Sequence, residues 1–303
     1  MGMLRVLCVV VGLMMAIRCY AEAIDQHGES FPKPEAALST QHPLTISLDT
    51  SFPEKLKDGT IIRQNFLTVA RDVLQVVQGL ASGGRLPDNR PIILYVSSGP
   101  VPITDATSDP AVVWIGIVLS EDDLHRLDYT RFTFQLGHEL GHVIMDARRS
   151  NGLIETLADA ISLETLDGMA KLWSVKYADF KPWRDYAPHF REYREKHEKE
   201  KLSELPHEIQ DAVHDGGWSD IALYLKKRQP ELDADPFNEA GLALRGLAAM
   251  ALRSETVPWS KFVGIASLTN PSPAQDNQFR KDLPTDISRA PQDVQNALHR
   301  LGR

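Results

Sequence analysis

Leu44, Ile46 and Leu48 alternate with polar residues, the period-two pattern of a half-buried strand. From Ile61 to Leu80 the apolar positions (Ile62, Phe66, Val69, Val73, Val76, Val77, Leu80) switch to helical spacing, and Ser82-Gly83-Gly84 supplies the stop. Ile92 to Val96 lies between Pro91 and Gly99, and Ala111 to Leu119 reads AVVWIGIVL; both runs predict strands. The Pro-, Asp- and Ser-rich stretch between them reads as a loop. From Thr130 onward nearly every pattern is helical. Phe190 to Leu202 is charged enough to predict a solvated surface helix, whereas Asn238 to Arg253 (NEAGLALRGLAAMALR) reads as a buried one. Residues 268–290 read as a long loop before a short terminal helix. No repeat of 20 to 50 residues is present. The pattern predicts an α+β fold, with a small strand-bearing lobe (24–125) followed by a mainly helical lobe (126–303) in a single domain.

The first residues stand apart. One cation, Arg5, precedes the apolar run Val6 to Ile17, and Ala21-Glu22-Ala23 gives the small-x-small pattern of a signal-peptide cleavage site. Twelve apolar residues are too short to span a bilayer comfortably. Residues 1–23 are therefore expected to be a signal peptide, and the protein to be exported, secreted or periplasmic, without stable membrane insertion. Both cysteines, Cys8 and Cys19, fall within this segment. The chain after it can form no disulfide, and any metal site there must use His, Asp and Glu. The formal net charge of -8 disfavours a nucleic-acid partner.

One constellation carries chemistry. Within Thr130 to Arg149 stands His138-Glu139-Leu140-Gly141-His142, the HExxH pattern. With 10 histidines in 303 residues, its chance occurrence has a probability of about 2%. At about 100° per residue the two histidines lie roughly 40° apart on one helix face. Both imidazoles can therefore close on a single zinc ion, one per chain. Glu139 stands beside the pair, placed to take a proton from water as general base. Phe132, Leu136, Leu140, Val143 and Ala147 form the opposite, core-facing side. Gly137 and Gly141 each cost about 1 kcal/mol of helix stability relative to Ala, which suggests close approach of another element.

The Ser150-Asn151-Gly152 turn opens a second helix, in which Glu155 and Asp159 share a face. Folded back as a hairpin, it would bring Glu155 to the metal as third ligand. Asp159 would then accept the outward N–H of a ligating histidine. Acidic residues early in a helix also simply complement its dipole. Asp146, one turn after His142, is placed as a further hydrogen-bonding group behind the ligands. A metzincin-like continuation fails, because Met145 and Arg148 stand where Gly and His or Asp are required.

At these residues the chain resembles the gluzincin metallopeptidases, the thermolysin-like group with HExxH on one helix and a glutamate ligand on the next, often as ExxxD. The resemblance spans about residues 111–165. The 12 residues between His142 and Glu155 make a shorter interval than several members have. It implies a zincin-like fold, a zinc cofactor and peptide or protein substrates. It also implies a sheet edge strand holding extended substrate, with Ala111–Leu119 as the candidate. Tyr177, Tyr186, His189, His207, His214 and Tyr224 are available downstream to stabilise an oxyanion. The alternatives are a zinc-binding effector that does not hydrolyse, and a hydrolase of a non-protein amide. Retention of Glu139 favours hydrolysis, since a purely structural site has no need of a base.

Overall fold

The computed structural model describes residues 44–57, 59–81, 89–269 and 285–301. Residues 1–23, expected to be a signal peptide, and the expected helix stop at 82–84 lie outside them. Strand β1 (Ile46–Leu48) leads into helix α1 (Ile62–Leu80), which returns the chain to β2 (Ile92–Val96). The two strands pair in parallel, Ile46 with Ile92 and Leu48 with Leu94. Helix α1 buries Ile62, Phe66, Val69, Val73 and Val77, the stripe expected from their spacing.

Among the described residues the sheet has four strands in the order β1-β2-β4-β3. Strand β4 (Val113–Ile117) pairs in parallel with β2, while β3 (Ile103–Asp105) runs antiparallel along its other side. This corrects the expectation for Ala111–Leu119. That run is an internal strand flanked on both sides, and the edge on its side of the sheet belongs to β3, inside the stretch read as loop. A continuous apolar run is what an internal strand needs, since both faces and both flanks are covered.

Ser120 closes a capping box with Asp123 at the start of α2 (Glu121–His125). Helix α3 (Tyr129–Met145) carries the HExxH residues, and α4 (Gly152–Lys176) carries Glu155 and Asp159. Asn151 caps α4 by accepting from the backbone N–H groups of Leu153 and Ile154 at 3.0 Å. The remaining helices are α5 (Lys181–Ser203), α6 (His207–His214), α7 (Trp218–Ala234), α8 (Glu239–Arg253), α9 (Trp259–Ile265) and α10 (Gln292–Arg300). Helix α8 is buried between α4, α5 and α7, as its Ala/Leu composition predicts. Helix α5 is less solvated than its charge suggests. Phe190 is fully buried, and Glu198 turns inward to pair with Arg253 of α8.

The strand-bearing and helical parts share one hydrophobic core, which runs from Leu44 to Leu301. Phe66 of α1 packs edge-on to Phe132 of α3 at 5.0 Å, and Trp173 of α4 stacks on Trp183 of α5 at 4.6 Å. Asp72 of α1 is buried and accepts hydrogen bonds from Trp173 Nε1 at 3.0 Å and the Tyr177 hydroxyl at 2.9 Å. It also binds Lys176 at 2.5 Å. No helix among the described residues is long and apolar enough to cross a membrane.

Candidate metal centre

Helices α3 and α4 approach closely because α3 presents glycine where α4 crosses it. A Cβ on Gly141 would lie 3.3 Å from the Ala158 backbone, and one on Gly137 3.1 Å from the Thr165 side chain. This contact sets Glu155 opposite His142 and Asp159 opposite His138. The hairpin expected from the turn at 150–152 therefore forms, and it brings one atom from each of His138, His142 and Glu155 within 4.8 Å of one another.

The spacing fits a cation. His138 Nε2 and His142 Nε2 are 3.2 Å apart, and each lies 3.5 Å from an oxygen of Glu155. Donors about 2.0–2.1 Å from a tetrahedral ion stand roughly 3.3 Å apart; the imidazole pair matches that edge, and the Glu155 carboxylate faces it with Oε2 toward His138 and Oε1 toward His142. Two imidazole nitrogens and a carboxylate form a donor set suited to borderline divalent ions. His142 and Glu155 are buried and His138 is nearly so. This group can hold a metal ion.

The surrounding charges favour one as well. Burial would push the His138 imidazole down, but Asp159 and Glu155 outweigh it and raise its pKa to about 10. Asp159 accepts from His138 Nδ1 at 2.9 Å, as its place on α4 predicted. That bond leaves Nε2 facing the other ligands. Despite burial, Glu155 is held well below the usual carboxylate range by His142, His138 and Arg245. Asp159 is lowered too, chiefly by Arg245. The centre is thus a dense set of anions enclosing two imidazoles.

Three residues completing it were not read from the sequence. Arg245 of α8 is buried and grips Asp159 with two hydrogen bonds, Nε at 2.9 Å and an NH2 group at 2.7 Å. Ser150 donates to Glu155 Oε1 at 2.6 Å. Thr104 of β3 donates to Glu139 Oε2 at 2.7 Å. Only Arg245 left a signal: it stands mid-helix among apolar residues of α8, and a buried guanidinium requires an acidic partner.

Asp146 does not serve the centre. It ends α3 with a positive φ of 74°, and its carboxylate is taken up by Arg148 at 2.7 Å and Arg149 at 2.9 Å. The helix therefore stops at Met145, ahead of the Ser150-Asn151-Gly152 turn that opens α4. Gln135, on the same polar arc as the histidines, clamps Val118 after β4 through both its N–H and its carbonyl.

The histidines, Glu139 and Glu155 line a cavity of about 380 Å³. Its walls are mainly apolar, from Phe134, Leu163, Leu242 and Met250, and Val101 to Thr104 form one side. None of Tyr177, Tyr186, His189, His207, His214 or Tyr224 lines it. Tyr177 is committed to Asp72, and Tyr186 accepts from the Tyr129 N–H. His197 and Lys201 of α5 line the cavity instead, and burial lowers the His197 pKa. No family model, curated protein or solved structure matches the chain.

Proposed function

We propose that this protein is a zinc-dependent peptidase with a gluzincin-like centre. The observation that carries the reading is the convergence of His138, His142 and Glu155 at one point, with Glu139 beside them in an open cavity. A structural zinc usually has four protein ligands; three plus access is the pattern of a catalytic one. When bound, such an ion supplies Lewis-acid chemistry, activating water at neutral pH and polarising a carbonyl.

The chain's own residues perform the rest. Glu139 accepts the proton of the attacking water and returns it to the leaving amine. Asp159, held by Arg245, fixes the His138 tautomer. Ser150 orients the Glu155 carboxylate. The edge strand β3 borders the cavity, and an edge strand is suited to receive an extended peptide. The apolar walls receive a side chain next to the cleaved bond.

Metal analysis and peptide hydrolysis test the reading together. Close to one zinc per chain is expected. Glu139→Gln should keep the metal and lose about 10²–10⁴ in turnover. Zinc retained by a wild-type chain that cleaves no peptide would turn the reading to a non-catalytic zinc protein. The same proposal includes export, for which N-terminal sequencing of the protein from its host should begin at Ile24.

A further inference from the structure

Thr104 is the middle residue of the edge strand and is buried, with 6% exposure. Its hydroxyl points away from solvent toward helix α3. It lies 2.7 Å from Glu139 Oε2 and 3.2 Å from the backbone carbonyl of the same residue. A hydroxyl has one proton to give, and the shorter contact directs it to the carboxylate. Glu139 is itself 4% exposed, so water cannot replace this donor freely.

The contact joins two parts of the centre that no nearby sequence connects. Glu139 belongs to helix α3; Thr104 belongs to the edge strand that borders the cavity. A glutamate side chain has several rotamers, and only one of them can address the water that must lose its proton. We propose that Thr104 is the positioning residue for Glu139, holding the base's carboxylate in fixed relation to the edge strand along which an extended substrate lies. The proposal rests on the peptidase reading. Substrate backbone and base are then both referred to one residue, and the base is aligned before substrate arrives.

The test compares Thr104→Val, which keeps size and branching but removes the donor, with Thr104→Ser, which restores it. On a peptide cleaved by the wild type, Thr104→Val should lower kcat by about 10–100-fold, leaving KM within about twofold. Thr104→Ser should recover most of the loss, and zinc content should stay at one per chain in both. Unchanged kcat, a loss confined to KM, or a Ser variant as impaired as Val would overturn the proposal. A second readout needs no activity. In denaturant unfolding of the metal-free chain, the effects of Thr104→Val and Glu139→Ala should be non-additive, because each removes the same contact. Additive effects would overturn Thr104 while leaving the peptidase reading intact. An inert wild-type chain with non-additive unfolding would overturn the peptidase reading and keep Thr104 as the residue that holds Glu139.

Discussion

At the scale of single residues, the centre is built around a proton that a metal must displace. His138 is raised from its ordinary 6.5 to about 10 by Asp159 and Glu155, against the effect of burial. In the metal-free chain its charged form therefore contributes stability fully below about pH 6.5, and loses it as pH rises through about 10. A metal requires the free lone pair, so uptake at neutral pH must expel this proton. Cobalt affinity measured at pH 6.5, 7.5 and 8.5 should climb about tenfold per unit; an affinity flat over that range would contradict the proton's place. Arg245 answers the same anions from the other side. Arg245→Met leaves Asp159 and Glu155 without their buried cation, and should cost about 3–5 kcal/mol in urea unfolding of the metal-free chain. HExxH and Glu155 were legible in the sequence because one helix and one tight turn fix their geometry. Thr104 left no trace, and the mid-helix position of Arg245 could not name its partner, since each reaches across the fold, Arg245 over 86 residues.

At the scale of elements, the distance between α3 and α4 sets the centre, and glycine sets that distance. Gly141→Val would drive a branched side chain into Ala158, 3.3 Å from the first added carbon. Overpacking of this kind costs about 1–3 kcal/mol. The same displacement should weaken metal binding by about 10–100-fold, read by competition with a chromophoric chelator. Gly79→Ala on α1, where an added carbon meets nothing within 4 Å, is the control and should leave binding unchanged. A Gly141→Val chain that binds metal like its parent would show that the hairpin spacing is set elsewhere. The glycine pair announced this close approach in the sequence because it is otherwise an expense in a helix. The edge strand did not announce itself. Three residues are too few to show an alternating pattern, and the long apolar run beside them drew attention to β4, whose very continuity marks an interior strand.

At the scale of the molecule, the metal helices cannot be separated from the sheet that borders them. Helix α1, which joins two strands, packs against both α3 and α4 and sends Asp72 into the core beneath Trp173 and Tyr177. Asp72→Ala would strand both donors, at about 1–3 kcal/mol each. A shared core predicts that both parts unfold together, even though the sequence shows a strand-bearing front and a helical remainder. With Cys8 and Cys19 replaced by Ser, the absence of any other cysteine makes this measurable with single thiol probes. Leu48→Cys places one in β1, and Leu298→Cys places one in α10; both positions are buried. Their labelling midpoints in urea, once each variant's own stability is allowed for, should coincide with loss of helical circular dichroism. Adding zinc at 100 times its dissociation constant should move both transitions by about 2.7 kcal/mol, since the ion is held by helices that the sheet helps to fix. A zinc shift confined to the Leu298 probe would instead divide the molecule into two cooperative units, with the metal centre in only one of them.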